Sequence, residues 1–249
     1  MTGSRPSPGK QDGVAAVDRA LAILEALTVR SSPATLADIA QDTAFYKSTI
    51  LRLLASLESS GYVVRLRDGR YGLGGSAFRL GLAYSRQNAL EQHVLPVLRD
   101  LVDQGTESAS FHVRHGSETR LCLFRVHSGH STLDRVEAGN VLPLDRGAAG
   151  RMLLAFAPES GHEGEALRKA GLALSMGERD PSCAGLAAPV LGPSGEIAGA
   201  LSLSGPGERF TSEAVERMGH LLREAAERLS AALRGGGGGR RNTVSAGDR

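Results

Sequence analysis

TAFYKSTILRLLASLESSGYVVRLRDGRYGLG, residues 43–74, changes its apolar period partway along. Ile50, Leu53, Leu54 and Leu57 recur at i, i+3, i+4 and i+7, the stripe of a helix with one buried face. Ser59 and Ser60 lead to Gly61, which is suited to the left-handed position that closes a helix. From Tyr62 to Leu66 the pattern alternates as in a strand; Asp68-Gly69 is a hairpin turn signal, and Arg70 to Leu73 returns as a second strand. With the stripe turned to a core, Tyr46, Lys47, Ser48, Thr49 and Arg52 are left outward near the start of the helix. Arg65, Arg67 and Arg70 follow on the ribbon.

Upstream, Val17, Leu21, Leu24 and Leu27 recur at helical spacing from about Val14, and Ser31-Ser32-Pro33 ends that segment. Thr35-Leu36-Ala37-Asp38 has a capping-box pattern and starts a short helix to about Asp42, with a break at Thr43-Ala44. Three short helices and a basic hairpin make a winged helix-turn-helix. In that arrangement the start of the third helix enters the major groove of DNA. Lys47 suits a phosphate, Ser48 and Thr49 a phosphate or base edge, and Arg52 a guanine edge or a phosphate. Arg65, Arg67 and Arg70 suit a neighbouring phosphate strand or the minor groove. A solvated helix face with ordinary surface arginines is the plain alternative; the ordered series of helix, cap, turn, helix and basic hairpin favours DNA.

The 249 residues are enough for two modest domains, with 41% apolar residues to build cores. The net charge is only +2, so a nucleic-acid role must rest on a local patch. No apolar run approaches the roughly 20 residues that span a bilayer. The stretch MTGSRPSPGKQDG lacks an apolar segment, so no signal peptide and a cytoplasmic location are expected. Cys122 and Cys183 form neither a metal-type spacing nor a disulfide framework. His112 and His115, like His127 and His130, lie three apart on strands or beside turns, and read as surface or turn histidines rather than metal ligands. Cys122 reads as a small core residue. Gly72-Leu73-Gly74-Gly75-Ser76-Ala77 matches G-x-G-x-x-A, but it follows a short basic ribbon rather than a buried strand, so no dinucleotide site is expected. Without a nucleophile elbow, P-loop or metalloprotease motif, neither catalysis, a metal nor a cofactor is expected.

Lys47-Ser48-Thr49, Gly61-Tyr62-Val63 and Gly69-Arg70-Tyr71 together make this segment similar to the DNA-binding domain of the IclR family of bacterial transcription regulators. The resemblance covers nearly the whole chain. Phe78 to about Gly105 reads as helix, interrupted at Pro96, and serves as the linker. Beyond it, Ser108–Val113, Leu121–Val126, Leu133–Val136, Leu186–Leu191 and Ile197–Leu203 read as strands. Arg151–Phe156 reads as a helix opened by Gly147–Gly150, and 211–234 as a last helix capped by Thr211. The expected fold is α+β: a winged helix-turn-helix joined by a helical linker to an effector domain that the resemblance implies is GAF-like. The expected boundaries are a disordered start 1–13, the DNA-binding domain 14–76, the linker 77–93, the effector domain 94–234 and a disordered Gly-rich tail 235–249.

LPLDRGAAGRMLLAF (142–156), GERDPSCAGLAAPV (177–190) and ALSLSGP (200–206) resemble the family segments that line a small-molecule pocket. The resemblance therefore implies an effector site at Leu144, Ala148, Ala149, Gly150, Ser175, Cys183, Gly185, Ser202 and Ser204. Physically, the amides that open a helix favour an anion, and Ser202 and Ser204 share strand parity. Members that bind small oxo-acids tend to carry an acid where this chain has Ser175 and a cysteine where it has Gly185, which implies a larger pocket or another ligand class. The expected function is a DNA-binding transcriptional regulator, controlled by a small organic effector such as an organic acid or aromatic catabolite. Its expected partners are a palindromic double-stranded operator and further copies of itself, as a dimer or dimer of dimers, with no membrane. The alternative is an orphan DNA-binding module whose C-terminal domain only oligomerises.

Overall fold

The computed structural model describes residues 13–88, 90–132, 134–158 and 160–235. The expectations of disorder for the two ends fall almost wholly outside them. The chain divides into two compact units between Gln87 and Asn88.

In the first unit, α1 (Ala15–Thr28), α2 (Leu36–Thr43) and α3 (Lys47–Ser59) are followed by β1 (Val63–Arg65), β2 (Tyr71–Leu73) and α4 (Gly75–Gln87). Ile23, Ile39, Ile50, Leu54, Val63 and Tyr71 meet in one core. The expected stripe of α1 is displaced. Val17 and Leu21 are each 54% exposed, whereas Ile23 and Leu27 are buried with Ala20 and Leu24 packed beside them. The i, i+3, i+4, i+7 series that meets α2 and α3 thus starts at Ala20 rather than Val17. Thr35 and Asp38 close a reciprocal capping box on α2. Arg30 grips Asp42 through Nε and Nη2 at 2.8 and 3.0 Å, tying the loop after α1 to the end of α2. Gly61 has φ +72° and Gly69 φ +82°, the left-handed values that the helix end and the hairpin require. A further pairing joins this ribbon: Ala34 exchanges backbone hydrogen bonds with Tyr71 at 2.9 and 2.8 Å. The G-x-G-x-x-A stretch has a packing role. A Cβ on Gly74 would lie 2.2 Å from the Gly61 carbonyl, and Ser76 Oγ donates to the Ser60 carbonyl.

The second unit begins with α5 (Leu90–Asp103), then β3 (Ser108–His115), β4 (Thr119–Val126), β5 (Val141–Pro143), α6 (Ala148–Leu154), α7 (Gly161–Ala170), β6 (Ala173–Met176), β7 (Cys183–Leu191), β8 (Ile197–Pro206) and α8 (Ser212–Gly235). Pro96 lies inside α5 without ending it; the helical stretch breaks instead between Gln87 and Leu90. Six antiparallel strands run in the order β5-β4-β3-β8-β7-β6. Strand alternation sorts the sheet into two faces. Ala109, Phe111, Leu186, Leu201 and Leu203 point to one face and bury α5 and α8 through Leu98, Leu222 and Leu229. Ala187 and Ala200 point to the other and pack on α6. Thr211 caps α8 as expected, its Oγ accepting from the Ala214 amide at 3.3 Å.

Two strand assignments change. Asp134–Val136 forms no strand, because the Asp134 side chain turns inward to arginines; β5 at Val141–Pro143 pairs with β4 instead. α7 and β6 were not expected. GHEGEALRKA buries only Gly164 and so shows no apolar stripe, and ALSM is too short to alternate legibly. α6 itself spans Ala148–Leu154, three residues earlier at its start and two at its end than expected.

Candidate functional site

Two regions carry the chemistry. On the first unit, burial of Ile50, Leu54 and Leu57 turns the opposite face of α3 to solvent. Tyr46 at its N-cap is 85% exposed, and Lys47, Ser48 and Arg52 are exposed beside it. No side chain caps this helix, so the Lys47 and Ser48 amides stay free for an acceptor from outside, while Thr49 N–H donates to the Tyr46 carbonyl at 2.9 Å. The three wing arginines differ. Arg65 lies over the Tyr71 ring at 5.7 Å, and Arg70 is held by Asp68 at 2.7 Å, while Arg67 at the tip has no partner among the described residues.

On the second unit, a polar cavity of about 40 Å³ lies between the start of α6 and the sheet. Seven of the nine expected effector residues line it: Ala148, Ala149, Ser175, Cys183, Gly185, Ser202 and Ser204. Leu144 and Gly150 do not. Leu144 is buried in the core under α6. Gly150 is a packing glycine, since a Cβ there would lie 2.3 Å from the Leu144 carbonyl and 2.6 Å from Arg120 Nη1. The start of α6 also differs from expectation. The N-cap Gly147 N–H donates to the Glu178 carboxylate at 2.9 Å, so an internal anion stands beside the start of the helix, while the amides of Ala148, Ala149 and Gly150 are not engaged by it.

The shared parity of Ser202 and Ser204 extends across the sheet. β3 pairs Ser108 with Ser204, Ser110 with Ser202 and His112 with Ala200, so Ser110 and His112 share the cavity's side. Beneath the cavity, buried Arg125 donates through Nη1 to Ser110 Oγ at 2.8 Å and to Ser204 Oγ at 3.2 Å. Its Nη2 pairs with buried Asp134, which Arg179 also reaches at 3.3 Å. Ser110 also hydrogen-bonds Cys122, whereas Ser204 keeps its own O–H free to donate among the described residues. His112 contradicts the surface reading: it is 4% exposed and lines the cavity. Burial, and then Arg120, Arg125 and Arg179, hold its pKa well below the usual imidazole value, so it is neutral near pH 7. Arg120 is 3% exposed and lowered to about 10, chiefly by burial and then by Arg179.

Arg120, Arg125, Asp134 and Arg179 were missed by sequence reasoning. A usable signal was present: two arginines bracket an apolar strand in RLCLFR, and a cation inside such a strand must point at something polar. Cys122 is buried between them, with its thiol pushed up to about 11 by burial, which suits a core residue. Among the described residues, no group of three or more His, Cys, Asp or Glu is placed to hold a metal ion. His127 pairs with Glu137 at 3.0 Å, and His130 approaches Glu107 at 3.5 Å. No described helix is long and apolar enough to cross a membrane.

Comparison with known proteins identifies the family of both units. Residues 16–67 match the IclR helix-turn-helix domain, and residues 161–231 match the family described as bacterial transcriptional regulator IclR C-terminal. The chain is similar to the HTH-type transcriptional regulator BhcR of Paracoccus denitrificans, at 30% identity over 88% of this chain and 87% of that one. It is similar to the transcriptional repressor IclR of Escherichia coli, at 25% identity over 89% and 91% of the two chains. Among solved structures, the IclR regulator from Alicyclobacillus acidocaldarius superposes with a TM-score of 0.75 at 25% identity, covering 89% of this chain and 100% of that one. An IclR homologue from Microbacterium hydrocarbonoxydans, solved with 4-hydroxybenzoate, gives a TM-score of 0.71 at 25% identity, with the same coverage. These relatives are transcriptional regulators rather than enzymes, in line with the absence of catalytic motifs.

Proposed function

The chain belongs to the IclR family of bacterial transcriptional regulators, and on that premise we propose that it binds a palindromic operator as a dimer or dimer of dimers and releases or tightens it in response to a small organic acid. The observation that carries this reading is the partly open polar cavity between α6 and the sheet of the second unit. A wholly structural domain has no use for buried arginines and serines around an open space, because burying polar groups without ligands or partners is costly. A relative of the same fold has been solved with a carboxylic acid, 4-hydroxybenzoate.

In this reading, α3 enters the major groove. Lys47, the free amides and the wing hold phosphates, and Arg52 with Ser48 and Thr49 faces base edges. Residues 77–93 link the DNA-binding and effector domains. The effector lies between Ala148, Ala149 and Gly185 on one side and the hydroxyls of Ser202 and Ser204 on the other, with Ser175 and Cys183 at its margins. An effector that prefers one spacing of the paired DNA-binding domains shifts operator affinity by linkage.

A thermal-shift screen of carboxylic acids, followed by calorimetry, tests the reading, because a specific ligand raises the melting temperature by mass action. Ser204→Ala is expected to weaken effector binding about two- to tenfold, given roughly 0.5–1.5 kcal/mol for an ordinary hydrogen bond. Operator affinity without effector is expected to stay at the wild-type value. Full effector affinity in both Ser202→Ala and Ser204→Ala would place the ligand elsewhere. A chain that binds operator but no acid in the panel would be the orphan module.

A further inference from the structure

Two buried groups at the cavity have no use in the arrangement above. Arg120 on β4 and His112 on β3 are 3% and 4% exposed, and both line the cavity. Arg120 Nη1 donates to the carbonyls of Pro143 and, at 2.8 Å, of Arg146. Those are its only hydrogen-bond partners among the described residues: Asp145 acts on the guanidinium only through charge, no carboxylate makes an ion pair with it, and its Nε has no hydrogen-bond partner. His112 Nδ1 likewise has none. Buried polar atoms are nearly always satisfied, so two orphans around one cavity mark the place of an absent acceptor.

The pairing of charges points the same way. Arg120 and Arg179 line the cavity with Asp134 and Asp180, Arg125 lies beneath it, and Asp145 acts on Arg120 electrostatically without a hydrogen bond. Asp134 is shared by Arg125 and Arg179, and Asp180 accepts from the Ser182 amide and hydroxyl, so neither neutralises Arg120. Arg120 stays protonated at neutral pH despite its burial. The start of α6 is a weaker rival for an anion, because Glu178 already holds the Gly147 amide.

We infer that the cavity selects a monoanionic carboxylic acid whose carboxylate is seated on Arg120 Nε and His112 Nδ1, with the rest of the molecule directed to the hydroxyls of Ser202 and Ser204. Arg120 is then the residue that separates an acid from its uncharged analogue, and neutral His112, in its Nδ1–H tautomer, supplies a second donor without a second charge. This rests on the effector reading, and its failure is separable from failure of that reading. A planar guanidinium edge matches a carboxylate in a way that a lysine ammonium does not.

The test uses the full-length chain and matched pairs of an acid and its primary amide: 4-hydroxybenzoate with 4-hydroxybenzamide, pyruvate with pyruvamide, and lactate with lactamide. Thermal shift and calorimetry are read at constant ionic strength. At least one acid is expected to bind the wild type at least tenfold more tightly than its amide. In Arg120→Gln the acid is expected to lose that advantage, with Arg120→Lys restoring only part of it. His112→Asn is expected to weaken the acid more than the amide, and Ser202→Ala to weaken both alike. Because Arg120 also holds two loop carbonyls, melting of the unliganded variant checks folding. If Arg120→Gln does not fold, the acid-to-amide ratio in the wild type and in His112→Asn decides. Equal binding of acid and amide by the wild type overturns the inference and leaves the effector reading intact. So does an undiminished acid preference in either Arg120→Gln or His112→Asn. If no acid or amide binds, the effector reading fails and the inference fails with it.

Discussion

Ala44 joins α2 to α3 with φ +57°, a left-handed backbone on a residue that has a Cβ. That conformation costs roughly 1–2 kcal/mol for an L-residue, and a glycine costs about 0.5–1 kcal/mol more in chain entropy than alanine. Ala44→Gly is therefore expected to stabilise the first unit by about 0.5 kcal/mol, read from urea denaturation of residues 13–87, with operator contacts unchanged. A loss of stability would mean that the Ala44 methyl packs favourably in the folded unit. Arg52 calls for a different measurement. It is exposed and touches no partner among the described residues, so its value lies in what it meets outside the chain. If it reads a guanine edge, Arg52→Ala is expected to cost roughly 1–3 kcal/mol on the operator and almost nothing on a scrambled duplex. Equal losses on both duplexes would assign Arg52 to a phosphate.

At the scale of elements, the wing separates charges that the sequence showed as equivalent. Arg70 is neutralised by Asp68, and Arg65 lies on the Tyr71 ring, so Arg67 is the charge most available to a phosphate. Arg67→Ala is expected to reduce the salt slope of binding by about 0.9 on every duplex, as measured by salt-titrated anisotropy, and Arg70→Ala by less. A larger change for Arg70 would show that its ion pair opens on DNA. On α6, Gly150→Ala forces a methyl onto the Leu144 carbonyl, and a backbone atom cannot move aside cheaply. The expected result is a loss of roughly 1–3 kcal/mol by overpacking, with effector binding lost as the helix shifts. Elements with strong local signals were legible in the sequence: the stripe of α3, the capping box of α2, the Asp68-Gly69 turn, and the parity of Ser202 and Ser204. What was not legible depends on distant partners. Val17 and Leu21 carry a helical period but have nothing to cover them in their own unit. His112 reads as a turn histidine until β8 pairs beside it, and Asp134 reads as part of a strand until Arg125 and Arg179 draw it inward. Leu144 and Gly150 were placed at the site through family resemblance, and packing assigns them to the wall behind it.

At the scale of the whole molecule, the proposed function requires two units with separate cores to act as one switch. A ligand held in the second unit changes DNA affinity only if it binds the DNA-competent and DNA-incompetent states unequally. Residues 13–87 contain α3 and the wing but no part of the cavity, so that fragment is expected to bind a half-site weakly and to ignore the effector. The full chain is expected to bind a complete operator far more tightly, because two linked sites act at high effective concentration. Its coupling must also be reciprocal: the factor by which saturating effector changes operator affinity equals the factor by which saturating operator changes effector affinity. A coupling of about 5–150-fold is typical, which is within reach of calorimetry on one side and anisotropy on the other. The two factors should agree in the wild type and fall together toward one in any variant that uncouples the units. If the fragment responded to effector as the full chain does, the ligand would be acting at the DNA-binding unit itself, and the cavity beside α6 would not be the switch.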